Sequence, residues 1–272
     1  MIIKERRTKI LLALFLLSDV NFPYVKLQEP IQLAFDLSLN QKTRGTLSAL
    51  LKEGLIEKNY SSNVIPSEAE GSPSQAQDYS LHSGRDDNAA EYRLTEKGFI
   101  KLALEFPFVR FLKEKWDGKW RILSYEIPEK KRELRDKLRR EVSGWGLGPW
   151  HRSFWLTPHP IIDALKELVS QKEEEKYVQA FEAEYVFGDR AILIEKVWGL
   201  SQLDKRYRDL FKKWHDTLAK EGSKTDKFKK VIGEYVIILR EDPGLPIDLV
   251  GEKWIGLEAY NIFREIKSIL LS

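Results

Sequence analysis

Apolar positions along the chain recur with helical spacing at both ends and with strand spacing in short stretches between. Residues 4–18 are apolar over most of a helical circumference, with an unbroken run from Ile10 to Leu17, which predicts a well-buried first helix. Residues 29–37 repeat a shorter helical pattern, with Pro30 in the first turn, where proline is tolerated. A third helix is predicted over 41–53. Asn40 is a good N-cap for it, Leu47, Leu50 and Leu51 form an i, i+3, i+4 stripe, and Gly54 stops it. Two short strands follow, 55–58 and 91–95, and another helix opens near Glu96. Residues 61–90 between those strands are rich in Ser, Gln, Asp, Ala, Gly and Pro and carry no apolar period. They read as an acidic insertion far longer than an ordinary hairpin loop.

The middle of the chain alternates. Residues 120–127 have strand character and end at Pro128. Residues 129–143 form a charged helix whose apolar stripe is Leu134, Leu138 and Val142. Gly144, Gly146 and Gly148 mark a turn region, 153–156 is a strand, 160–169 a helix, and 177–187 and 191–198 are strands. The charge run from Lys172 to Lys176 reads as a solvated connection. This order suits a ferredoxin-like unit. From Gln202 onward the pattern is helical, over 203–220, 225–240 and 253–271. The expected class is α+β: a winged-helix domain over 1–110 interrupted by 61–90, a ferredoxin-like domain over 111–200, and a helical domain over 201–272.

Composition narrows the chemistry. The 272 residues contain no cysteine, which excludes disulfides, thiolate metal sites, iron–sulfur clusters and cysteine nucleophiles. It also fits a cytoplasmic location. Lys4-Glu5-Arg6-Arg7 ahead of an apolar run has the outline of a signal peptide. That run is eight residues long, Asp19 follows it, and no small-x-small cleavage site is present, so a buried helix is the better reading. Net charge is +3 overall but unevenly spread: +3 over 1–58, −4 over 59–90, +5 over 113–160 and −2 over 161–272. A basic front with one acidic interruption is a weak pointer to nucleic acid.

Two motifs carry resemblances. Lys52-Glu53-Gly54-Leu55-Ile56, followed by Tyr92-Arg93-Leu94-Thr95-Glu96-Lys97-Gly98, resembles the winged-helix variant of the helix-turn-helix family. Residues 65–73 resemble the translation of an inserted repetitive DNA element. Farther on, Trp116-Asp117-Gly118-Lys119-Trp120-Arg121-Ile122-Leu123-Ser124-Tyr125-Glu126-Ile127-Pro128-Glu129 resembles the central signature of PaaX-type transcriptional repressors. The likeness continues through Gly144-Trp145-Gly146-Leu147-Gly148 and Ser153-Phe154-Trp155-Leu156-Thr157-Pro158-His159-Pro160. Asp242-Pro243-Gly244-Leu245-Pro246 with Trp254-Ile255-Gly256 is similar to that family's C-terminal block. The resemblance implies a non-enzymatic, effector-responsive repressor that binds double-stranded operator DNA as a homodimer, with an acyl-coenzyme A type effector, no membrane and no bound metal.

Site expectations follow from the motifs. Gln41, Lys42, Thr43 and Arg44 start the third helix, whose first residues reach base edges in a helix-turn-helix, while Arg6 and Arg7, with Lys4 and Lys9, are candidates for phosphate contacts. Trp145, Trp150 and Trp155 are close in sequence and, with Arg135 and Arg139, are candidates for an effector pocket, core packing and surface pairing being the plainer roles. His151 and His159 flank a strand without a metal-ligand spacing. The rival reading is a metal-dependent nuclease. Tyr125-Glu126-Ile127 resembles the strand end that carries a metal-binding Asp in the ferredoxin-like CRISPR adaptation nuclease. Here the residue is Glu, and a second acidic ligand is missing, so pairing of Glu126 with Arg121 or with a helix N-terminus is the expectation.

Overall fold

A computed structural model describes residues 5–18, 22–27, 29–60, 90–112 and 115–272. It divides into two compact units, residues 5–99 and residues 100–272.

The first unit runs α1 (Arg6–Leu17), β1 (Val25–Lys26), α2 (Glu29–Phe35), α3 (Gln41–Lys52), β2 (Ile56–Tyr60), β3 (Ala90–Leu94) and the opening turn of α4 (Glu96–Glu105). Its sheet is antiparallel in the order β1-β3-β2, with Val25 opposite Tyr92 and Ile56 opposite Leu94. The apolar run of α1 does what its pattern requires, burying every residue from Thr8 to Leu16. Leu47 and Leu50 of α3, Ile31 and Phe35 of α2, and Ile56, Tyr92 and Leu94 of the strands complete the core. Phe99 closes it, 6.4 Å from Phe15 and 5.4 Å from Phe22 between ring centroids. Gly98 is required by close approach, because a Cβ there would lie 2.0 Å from the Leu55 carbonyl oxygen. All but the last residue of the expected 61–90 insertion, and Lys4, lie outside the described residues.

The second unit continues with α5 (Phe108–Phe111), β4 (Lys119–Tyr125), α6 (Arg132–Gly144), β5 (Gly148–His151), β6 (Phe154–Thr157), α7 (Ile162–Val169) and β7 (Val178–Glu184). Then come α8 (Arg190–Trp198), α9 (Leu200–Ala219), α10 (Lys224–Leu239), α11 (Ile247–Val250) and α12 (Ile255–Leu271). The four strands pair antiparallel in the order β5-β6-β4-β7, so β5 and β7 are the edges of a β-α-β-β-α-β arrangement. One face of the sheet packs Leu123, Tyr125 and Trp155 against Leu138 and Val142 of α6 and Leu165 and Val169 of α7. The other face packs Trp120 and Leu156 against Ile194 and Val197 of α8 and Leu245. Beyond them, α9, α10 and α12 share a core built on Tyr207, Trp214, Phe228, Tyr235 and Phe263, with Tyr235 and Phe263 at 4.9 Å.

Three expectations are corrected. Residues 191–198, read as a strand from their branched side chains, form α8. The Asp189 carboxylate accepts from the backbone N–H groups of Ala191 and Ile192 and starts the helix. Residues 148–151, read as part of a turn, form β5, an edge strand in which Pro149 lies opposite Trp155 and a bulge follows before His151, the kind of position where proline is tolerated. The charge run at 172–176 is not wholly solvated: it enters a short 3-10 turn over Glu173–Tyr177 in which Glu174 is buried.

Candidate nucleic-acid interface

The start of α3 is fixed before any side chain faces outward. The Asn40 Oδ1 accepts from the Thr43 backbone N–H at 3.0 Å and holds the first turn. The Thr43 hydroxyl donates to the Ser38 carbonyl at 2.7 Å and accepts from the Arg6 guanidinium at 2.7 Å. Thr43 is fully buried, so of the four residues proposed from the sequence it serves as an internal clamp. Gln41, Lys42 and Arg44 are exposed on the same turn. Gly54, at φ +69°, ends the helix one residue after its C-cap, as the sequence predicts.

The basic residues at the start of α1 are engaged within the unit. Arg6 reaches Thr43, Arg7 grips both carboxylate oxygens of Glu53, and Lys9 is buried with its ammonium 3.2 Å from the Asp36 carboxylate. The hydrogen bond that Arg7 donates to the Glu53 carboxylate raises its pKa further, so it stays a cation. On the sheet, Arg93 bonds the Glu57 carboxylate at 2.6 Å and lies over the Tyr24 ring at 4.9 Å, while the Tyr24 hydroxyl meets the same carboxylate at 3.2 Å. These partners lie far away in sequence, so no local pattern could announce them.

The candidates in the second unit do not converge. Trp155 is a core residue whose Nε1–H donates to the Tyr125 hydroxyl at 3.3 Å. Trp145 is partly buried against the same cluster, and Trp150 is exposed on the edge strand. Arg135 pairs with Glu129 at 2.6 Å, and Arg139 is exposed. A cavity of about 540 Å³ is lined by Gly188, Asp189, Arg190, Ala191, Ile194, Asp248 and Leu249, and by none of these tryptophans or arginines.

Glu126 is exposed at the end of β4, where its backbone N–H donates to the Tyr177 carbonyl at 2.9 Å. Its expected partner Arg121 is buried and engaged elsewhere. It grips Asp117, donates to Glu182 at 3.1 Å and to the Pro158 carbonyl at 3.1 Å. Among the described residues no three His, Cys, Asp or Glu side chains gather as a metal site would require. His159 is buried with Nε2 3.3 Å from the Pro243 carbonyl, and His151 is exposed.

One charged centre escaped the sequence reading. Asp242 is buried, accepts from the Tyr207 hydroxyl at 2.6 Å and from the Gly244 N–H at 2.8 Å, and also binds Trp254. Burial pushes its pKa up to about 6 against those hydrogen bonds. Gly244 beside it has φ +62°, and a Cβ there would fall 2.0 Å from the Pro107 carbonyl oxygen. The residues Asp242-Pro243-Gly244 therefore hold the helical segment in place. The visible signal was a Pro-Gly turn between two apolar helices.

Comparison with known proteins gives two family-level matches. The family model described as the PaaX protein central Cas2-like domain matches residues 113–192, and that of the PaaX-like protein C-terminal domain matches residues 198–272. No curated protein matches the chain. Among solved structures, the uncharacterized protein Rv0674 from Mycobacterium tuberculosis is similar in fold. It is 16% identical, with a TM-score of 0.51 over 96% of this chain and 94% of that one. Among the described residues, no helix is long and apolar enough to cross a membrane.

Proposed function

The chain belongs to the PaaX-type family, a family of transcriptional regulators, and we propose that it is a sequence-specific DNA-binding repressor rather than an enzyme. The reading takes residues 5–99 as a winged helix, with α3 entering the major groove and the β2–β3 hairpin as its wing. The observation that carries it is the first turn of α3. Asn40 and Thr43 rigidify that turn from inside, and Gln41, Lys42 and Arg44 stand outside it. Arg suits guanine and Gln suits adenine by bidentate geometry, while Lys42 suits phosphate. Arg6 and Arg7 are assigned to holding the unit together, because Thr43 and Glu53 engage them. The strand order of the central sheet is that of a ferredoxin-like unit.

The reading includes a homodimer on a two-fold-related site, since one short helix contacts few base pairs. It also includes a cytoplasmic location and a small effector of the acyl-coenzyme A type. Selection of the purified chain against a random-sequence duplex library tests it. A two-fold-related motif with half-sites separated by whole helical turns is expected. Recovery of no sequence preference overturns the reading.

A further inference from the structure

We infer that strand β7 is a self-pairing edge through which two copies of this chain join into one continuous eight-stranded sheet. The inference deepens the homodimer reading above and names its interface.

β7 is exposed along nearly its whole length. Among the described residues it pairs only with β4, and Gln179, Ala180, Phe181, Glu182 and Glu184 are all exposed. An uncovered edge is a template for another strand, and proteins usually blunt it with proline, lysine or a bulge. The seven residues of β7 include no proline and no lysine, and their register with β4 is unbroken from Glu184 to Val178. Phe181, 51% exposed, sits at the midpoint. The chain beyond the strand carries Val186 and Phe187, 87% and 89% exposed.

The backbone supplies the register. The Glu126 N–H bonds the Tyr177 carbonyl directly opposite, so Tyr177 and every second residue after it, Gln179, Phe181 and Ala183, turn their backbone groups toward β4. Val178, Ala180, Glu182 and Glu184 therefore turn theirs outward. A two-fold axis through Phe181 sets Ala180 against the second copy's Glu182 and Val178 against its Glu184, and all of these residues have outward-facing N–H and C=O groups. Phe181 meets its own counterpart in a non-hydrogen-bonded pair, where side chains come closest and an aromatic pair adds attraction.

Charge supports the same register. Each carboxylate faces a small or apolar side chain, and Glu182 is already matched by Arg121 at 3.0 Å and Lys119 at 3.5 Å within its own copy. Moving the axis one residue, to Glu182, would oppose two carboxylates and cost stability.

The absence of native cysteine makes cross-linking a clean test. Opposed residues in such a pair have Cα atoms about 4.5 Å apart, within disulfide reach. Phe181→Cys is expected to form a covalent dimer under mild oxidation. Glu184→Cys, about 20 Å from its counterpart by strand rise, is expected to stay uncross-linked. In the reduced protein, Ala180→Pro removes only an outward N–H and spares the β4 ladder. It is expected to weaken the dimer about tenfold or more in a light-scattering dilution series, with an unchanged circular dichroism spectrum. Phe181→Lys is expected to do the same by placing two ammonium groups on the axis. A dimer that persists unchanged in both Ala180→Pro and Phe181→Lys overturns this interface and leaves the homodimer reading standing. A wild-type chain that is monomeric throughout the series overturns both. Cross-linking at Glu184→Cys in place of Phe181→Cys overturns the register.

Discussion

Helices α1 and α3 have twelve residues each and belong to the same compact unit, yet they use their surfaces in opposite ways. α1 buries nine of its residues; α3 buries Thr43, Leu47 and Leu50 and turns the rest toward solvent or the core margin. The difference does not follow from helix propensity, since both sequences are adequate formers. It follows from what each helix is packed to do. α1 is enclosed, so its few cations must find partners inside the unit, as Lys9 does with Asp36. α3 is fastened along one narrow stripe and at its cap, which leaves Gln41, Lys42, Arg44 and Ser48 exposed. A face that contributes little to stability is the one that can be assigned to a ligand.

Core truncation should break the comparison hardest. Leu12 is fully buried, so Leu12→Ala is expected to cost about 2–5 kcal/mol of unfolding free energy. Ser48→Ala, on the exposed side of α3, is expected to change stability by no more than about 0.5 kcal/mol. Chemical denaturation of the two variants measures the contrast, and similar losses would mean that α3 is as structural as α1.

Arg44→Ala should separate the two currencies of the unit. Specific DNA affinity is expected to fall by about 1–3 kcal/mol, a tenfold to hundredfold change in a gel-shift titration, while the melting temperature stays where it was. Loss of both in parallel would place Arg44 with the internal clamps Arg6 and Thr43.

The cap comes next. Asn40→Ala removes the acceptor of the Thr43 N–H and is expected to cost about 1 kcal/mol in denaturant unfolding. Because Thr43 then loses its fixed position, DNA affinity is expected to drop with it.

How much of this was legible beforehand depends on whether the signal was local. Asn40, the leucine stripe and Gly54 mark the two ends and the buried side of α3 within one short stretch, and the helix found runs Gln41–Lys52 as those marks require. The burial of Leu138 and Val142 in α6 follows from the same kind of spacing. What escaped depended on distant partners or on ambiguous composition. Ala191-Ile192-Leu193-Ile194 has strand propensity and becomes helix because Asp189 caps it and Gly199, at φ +61°, ends it. Gly148-Pro149 looks like a turn and is an edge strand, since only its neighbour β6 needs its backbone groups. Thr43 looked like a base contact because of its position. Its burial depends on Ser38 and on Arg6, thirty-seven residues earlier. The tryptophans near residue 150 were close in sequence, but strand alternation sends Trp150 and Trp155 to different surroundings.

The smallest expected effect is also the one that changes sign between the two properties. Gly45 lies in the second turn of α3, exposed and helical, next to Arg44. Glycine inside a helix is less favourable than alanine by about 1 kcal/mol, because the unfolded chain has more conformations to lose. A Cβ at Gly45 would meet nothing within 4 Å, so the fold itself gives no reason for glycine there. Gly45→Ala is therefore expected to stabilise the unit by about 0.5–1 kcal/mol, read as a rise in the denaturation midpoint. If the polar face of α3 lies against a duplex, the missing side chain lets the helix approach closely, and the same substitution is expected to weaken DNA binding. Stability and affinity measured on this one variant should thus move in opposite directions. A parallel gain in both would show that the face around Gly45 is not in contact with DNA, and would move the contact surface toward the first turn, to Gln41 and Lys42.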